Sequence, residues 1–198
     1  MKRRRLFRAA QAQSSLHAAY QRHGVVPYYR QHGSAYRNPH EPIIRAIVQD
    51  FARQSPWSGS ILDLACGSGE VTLALLELGV KEVLGVDPFT AEAYSERTGM
   101  QAQELSFEDI AQGALEQHRF GMIICSFALH LIEESWLPRL CWALATLSPR
   151  MLILSPHKRP RLEEEWGWVL TEAWVEQRVH AREYRVGTRS EERGTRME

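Results

Sequence analysis

The stretch "ILDLACGSGEVTLALL", Ile61 to Leu76, decides how the rest of this 198-residue chain is read. Ile61, Leu62 and Leu64 form a short apolar run interrupted by one acid, Asp63. Small residues follow, with glycines at 67 and 69, and from Val71 onward apolar residues recur at helical spacing. This is a buried strand, a tight turn and a helix, and the pattern repeats downstream. "EVLGV" is a second strand ending at Asp87-Pro88, and "TAEAYSERTG" a helix closed by Gly99. "MQAQEL" is a weaker strand, "FEDIAQGALEQ" a helical turn or two, and "FGMIICS" a strong apolar strand. "SWLPRLCWALATL" is expected as a helix with Ser135 as N-cap and Pro138 in its first turn, and "RMLILS" as the next strand. "RLEEEWGWVLTEAWVEQ" is expected as a helix despite Gly167, with Trp166, Trp168 and Trp174 packing on the sheet; "RVHAREYRV" alternates like a last strand. Such alternation predicts an α/β fold: a doubly wound, mostly parallel sheet with helices on both faces.

Outside this alternation the chain changes character. From Met1 to His40 there are eight Lys/Arg and no acid, although the whole chain balances 24 Lys/Arg against 24 Asp/Glu. That opening suits a basic arm for RNA, an organelle transit peptide, or a helix with a solvated basic face. "VVPYYRQHGSAYRNPH" follows, dense in aromatic and polar side chains, and then "HEPIIRAIVQDFA", an amphipathic helix with Pro42 near its start. The expected organisation is residues 1–59 as basic arm, lid segment and helix, residues 60–186 as the α/β core, and residues 187–198 as a polar tail. No apolar run is long enough for a membrane span. Cys66, Cys125 and Cys141 are an odd number, two of them in apolar segments, which fits reduced core thiols and a cytoplasmic setting better than disulfides or a metal cluster.

In open α/β sheets a ligand sits beyond the carboxyl ends of the strands, where the strand order reverses. Small turn residues let it approach the backbone N–H groups. Asp87, twenty residues after Gly67, is placed to accept from two ribose hydroxyls, so the ligand is expected to be a nucleoside derivative. A dinucleotide fingerprint would place glycine at position 72, where this chain has threonine. Asp63 would repel a diphosphate and suits a cationic amine. A ligand with adenosine at one end and an amino acid at the other, S-adenosylmethionine, satisfies both acids. The alternative is a purely structural tight turn at Gly67 and Gly69, with Asp63 capping the helix, but Asp87 at its spacing favours the ligand.

"LDLACGSGEVTLAL" closely resembles the first motif of class I, Rossmann-like S-adenosylmethionine-dependent methyltransferases, and "VLGVDPF" resembles their second. "FGMIICSFALHLIEE" is similar to the fourth-strand region of the branch acting on small molecules, quinones and some RNAs. The resemblance spans roughly Tyr28 to Pro156. It implies that Asp63, Ala65, Gly67 and Gly69 line the methionine end of the donor and that Asp87 holds the ribose. Ser106 and Phe107 would flank the adenine, with Ser126, Phe127 and His130 near the methyl group. Ala65 stands where the family commonly has glycine, and Ser106-Phe107 replaces a commoner acid. The family's segment before the first strand closes over the cofactor, which would bring Tyr29 or Arg37 onto the donor.

Methyl transfer from a sulfonium needs alignment above all. A base is required only for O–H, N–H or carbon acids, and His130 and His157, at the ligand edge of the sheet, are the candidates; a structural histidine at a strand end fits His130 as well. The acceptor is left open among small molecule, RNA and protein. "CSFAL" stands where base-amine methyltransferases carry an Asn/Asp-Pro-Pro-aromatic motif, which disfavours exocyclic base amines. "SPHKRP" with Arg30 and Arg37 points to an acidic or phosphorylated acceptor. The competing reading is a non-catalytic ligand- or RNA-binding module that keeps the same fold.

Overall fold

The computed structural model describes residues 37–187. Tyr28, Tyr29 and Tyr36, the rest of residues 1–36 and residues 188–198 of the polar tail lie outside the described residues.

The first element, α1 (Glu41–Gln54), carries proline in its first turn, where no N–H is required. Ile43, Ile44, Ile47, Val48 and Phe51 form its buried stripe. Then follow β1 (Ile61–Leu64), α2 (Glu70–Leu76), β2 (Val83–Val86), α3 (Ala91–Thr98), β3 (Ala102–Gln103), α4 (Phe107–Ala111) and β4 (Met122–Ser126). Two single 3₁₀ turns lead into α5 (Leu137–Leu147) and β5 (Arg150–Ser155). A further 3₁₀ turn precedes β6 (Trp168–Glu176) and β7 (Val179–Val186).

The seven strands lie in the order β3-β2-β1-β4-β5-β7-β6. The first five are parallel; β7 is antiparallel to both β5 and β6. The chain winds outward from β1 through β2 and β3, then returns to place β4 on the other side of β1. That reversal opens a crevice at the carboxyl ends of β1 and β4.

Alternation along the strands divides the core in two. Leu62, Leu64, Ile123, Cys125 and Ile153 face α4 and α5, whereas Ile61, Met122, Ile124 and Leu152 face α1 and α2. Asp63 shares the face of Ile61 and therefore points toward α2.

Two expectations are corrected. Arg161 to Gln177 is not a helix: its second half is β6, and Gly167, at φ 91, ends the 3₁₀ turn Glu164–Trp166 ahead of it. The three tryptophans do pack on the core, but not from one helical stripe. Trp168 is fully buried on the α5 side and donates from its indole to the Cys141 carbonyl at 2.9 Å. Trp174 stacks 6.2 Å from Phe51 of α1 on the other side. Six residues apart in a regular strand, they would share a face. The irregularity between Leu170 and Glu172 inserts one residue and turns the remainder of β6 over. The second correction is small: Trp136, not Ser135, holds the N-cap position of α5, and Ser135 instead donates to Glu133. Among the described residues no helix is long and apolar enough to cross a membrane.

Candidate functional site at the strand-order reversal

The crevice contains a cavity walled by three turns. After β1 come Ala65, Cys66 and Gly67; after β2 come Asp87, Pro88 and Phe89; after β4 come Ser126, Phe127 and Ala128. The β3–α4 connection closes one end with Leu105, Ser106, Phe107 and Glu108, and Leu131 and Ile132 close another. Asn38 and Glu70 complete the rim. Of the residues singled out from sequence, Ala65, Gly67, Asp87, Ser106, Phe107, Ser126 and Phe127 line this one space. Asp63, Gly69, Arg37, His130 and His157 are not on its wall.

The β1 turn is held tightly. Cys66 donates to the Val86 carbonyl and Gly69 to that of Cys66, at 3.0 and 2.9 Å. Ala65 has φ 57, a left-handed backbone that costs a residue with a side chain about 1–2 kcal/mol. This explains in physical terms why glycine suits that position. Phe127, the residue after β4, has φ 57 as well. Its ring is displayed at the cavity and stacks on His40 at 4.7 Å and 18°. Neighbouring strands thus end in equally unusual backbone at the point where the sheet order reverses.

Asp87 is buried and works as a bracket. One carboxylate oxygen accepts from the Gly67 backbone at 3.2 Å, and the other from Phe89 and Thr90 at 2.9 and 3.1 Å. Burial pushes its pKa upward against the opposing pull of those bonds. Asp63 lies behind the turn, fully buried, accepting from the Thr72 backbone and hydroxyl. Burial, opposed by those two bonds and aided by the charges of Glu70 and Asp87, moves it up to about 7. Thr72 also bonds the Tyr94 hydroxyl at 3.0 Å, and the Tyr94 ring lies over Gly85, the β2 partner of Asp63.

Sequence reasoning passed over Glu70. Its Oε1 accepts from Ser68 Oγ at 2.5 Å, from the Asn38 backbone at 3.0 Å and from Arg97 at 3.3 Å. Arg97 also grips Glu41 at 2.7 Å, so α1, α2 and α3 are tied together beside the cavity. An acid in the first turn of a helix is ordinary, and two of its three donors, Asn38 and Arg97, come from distant positions, which local pattern does not reveal.

Ser106 caps α4 in a reciprocal box with Asp109, each side chain bonding the other's backbone N–H. It therefore orients Phe107 and Glu108 toward the cavity. His130, in the 3₁₀ turn after β4, meets His157, after β5, edge to face at 4.8 Å. The two candidate bases thus come together beside the cavity wall at Leu131, although they are 27 positions apart in the chain (157 − 130). Cys66, Cys125 and Cys141 are free and buried, and burial pushes all three thiols up, which leaves none as a nucleophile. No group of residues suited to a metal ion occurs among the described residues.

A mostly parallel sheet with this strand order, a glycine turn after β1 and an acid after β2 define a Rossmann-like fold with a crevice at its reversal point. The sequence profile of the methyltransferase-domain family matches residues 61–148, from the first strand to the end of α5. An uncharacterised protein of Schizosaccharomyces pombe is 35% identical, aligned over 76% of this chain and 77% of its own. The fold is similar to that of N-methyltransferase NodS from Bradyrhizobium japonicum, solved with S-adenosyl-L-homocysteine (TM-score 0.59, 13% identity, 76% and 89% of the two chains). It is likewise similar to the magnesium protoporphyrin IX methyltransferase of Synechocystis PCC 6803 with bound S-adenosylmethionine (TM-score 0.56, 16% identity, 75% and 80%). Residues 61–148 of the chain are a class I methyltransferase domain of the S-adenosylmethionine-dependent type. The protein is an enzyme that uses S-adenosyl-L-methionine to methylate an acceptor.

Proposed function

We propose that the cavity between the β1, β2 and β4 turns is where this methyltransferase holds its donor, and that the acceptor enters over the ends of β4 and β5. The observation that carries this is the convergence of Ala65, Gly67, Asp87, Ser106, Phe107, Ser126 and Phe127 on one cavity from four separate segments. The donor set fits the group. Asp87 offers a carboxylate to ribose hydroxyls, and Leu105, Phe107 and Ile110 offer an apolar slot for adenine. Glu70 reaches the rim as an acid for an ammonium group.

Asp63 and Gly69 act behind the wall, by shaping the turn. Arg37 and Tyr29 belong to the segment leading into α1, and we assign that segment to covering the donor. When bound, S-adenosylmethionine supplies a methyl group already activated by a sulfonium charge. The protein's part is alignment and exclusion of water, worth several orders of magnitude in rate. Phe127 and Ser126 shape the space where the acceptor atom approaches. For an acceptor that must lose a proton, the His130–His157 pair is the base, one ring receiving the proton and the other orienting it.

The three buried thiols fit a reducing compartment such as the cytoplasm. The eight cations before Glu41 suit contact with an RNA backbone, in which case RNA binding would fall steeply with salt and be lost on truncation.

The experiment is transfer from radiolabelled S-adenosylmethionine into fractionated cell extract, separated into small molecules, RNA and protein. Label in one fraction, with release of S-adenosylhomocysteine, is the expected result. A folded protein that binds S-adenosylhomocysteine but labels nothing would favour the non-catalytic binding module.

A further inference from the structure

Arg182 is an arginine inside the protein without an acid. It sits on β7 and is 4% exposed. Its Nη2 donates to the carbonyls of Lys158 and His157, at 2.8 and 3.4 Å, which places the guanidinium beneath the loop that follows β5. Its Nη1 is buried and has no hydrogen-bond partner among the described residues. Strand alternation puts the adjacent Glu183 on the opposite face, where Arg150 binds it at 2.8 Å. None of the ion pairs among the described residues includes Lys158, Arg161 or Arg182.

The surroundings of Arg182 add positive charge. Burial depresses the Arg182 pKa, with Tyr184 opposing the shift and Arg161 adding to it; His180 is lowered by burial and by Arg182, Lys158, Arg161 and His157. Glu163, Glu164 and Glu165 follow in the chain but are exposed and make no ion pair with the cluster. A guanidinium does not escape its burial by losing a proton, so an unmatched one is costly unless a ligand completes it. The cluster also adjoins the site: His157 meets His130 at 4.8 Å, and the turn bearing His130 continues into Leu131 and Ile132 of the cavity wall.

We propose that Arg182, flanked by Lys158, Arg161 and His180, is an anion subsite that anchors a carboxylate or phosphate group of a small-molecule acceptor. Arg182 Nη1 donates to the anion in a dry setting, where a charge-assisted bond is strong, while the loop cations neutralise the remaining charge. The reacting atom then lies toward Phe127 and the two histidines. This inference rests on the methyltransferase site proposed above.

The test separates the two. S-adenosylhomocysteine is first titrated into wild type, Arg182→Met and the double variant Lys158→Ala/Arg161→Ala; equal affinity is expected in all three. Absence of binding to wild type would count against the cavity, not against the anion subsite. Inorganic phosphate and acetate are then titrated at constant ionic strength into each protein, with and without S-adenosylhomocysteine. Saturable binding of at least one anion to wild type is expected. Weakening should be tenfold or more in Arg182→Met and severalfold in the double variant, whose changes are on exposed residues and leave the fold intact. If Arg182→Met does not fold, the double variant decides. No saturable binding, or the same affinity in every folded variant, overturns the proposal. In the labelling reaction the methylated product should be a small molecule retained on an anion exchanger, and phosphatase treatment tells a phosphate from a carboxylate. Label only in neutral or cationic small molecules, in RNA or in protein overturns it equally.

Discussion

Asp63 and Thr72 meet twice: the buried carboxylate accepts from the Thr72 backbone N–H at 3.1 Å and from its hydroxyl at 2.7 Å. Gly69, at the N-cap of α2, has no side chain to satisfy the first turn, so an acid on the neighbouring strand does it. One oxygen of Asp63 takes both bonds, while the other is buried without a partner among the described residues. That half-satisfied carboxylate has a consequence for pH. Its pKa rises from 3.8 to about 7, chiefly through burial. Below about pH 4 it is protonated in folded and unfolded chains alike. Between there and about pH 7 the unfolded chain ionises first, so this group's contribution falls as pH rises, by up to about 4 kcal/mol. In Asp63→Asn, which keeps an acceptor for Thr72, the fall should vanish. Urea unfolding at pH 5 and pH 8 measures it; parallel changes in the two proteins would contradict the assignment.

Asp87→Ala should weaken S-adenosylhomocysteine binding at least tenfold, because a charged acceptor in a closed site is worth about 1.5–3 kcal/mol. The readout is the ligand-induced rise in melting temperature, with circular dichroism to show that the variant is folded. An undiminished rise would remove Asp87 from the donor site.

Ala65→Gly should stabilise the protein by about 0.5–1 kcal/mol, since glycine relieves the left-handed backbone at φ 57 while widening the unfolded ensemble. Denaturant midpoints compare the two directly. A loss of stability would mean that the Ala65 methyl contributes more by packing than its backbone costs.

Gly85→Ala acts in the opposite direction. The new Cβ would stand 2.6 Å from Cζ of Tyr94, whose fully buried ring has nowhere to retreat. A loss of about 2–3 kcal/mol is expected, of the size seen for overpacked cores. Tyr94→Phe removes only the bond to Thr72 and should cost about 1 kcal/mol. Equal costs for the two would place the effect in the hydrogen bond, not in the ring.

By itself the sequence determined the parallel half of the sheet and the cavity's principal wall. Those features are local. A strand, a turn of small residues and a helix are adjacent in the chain, and one residue type in the wrong place would spoil each. Asp87 was legible for the same reason, at a set distance from Gly67 along one strand–helix–strand unit. What only the tertiary structure decided was non-local. Arg161 to Gln177 carries aromatic residues at spacings that suit a helix face, yet Trp168 to Glu176 pairs as β6 because β7 supplies hydrogen bonds that local propensity does not describe. The bulge after Leu170, which sends Trp174 to the α1 side, has no spacing of its own to betray it. Glu70 owes its place to distant donors at Asn38 and Arg97, and Arg182 its isolation to strand alternation that leaves Glu183 across the sheet. Motif residues reveal themselves through chain geometry, but a buried charge is defined by its neighbours, and those are assembled only on folding.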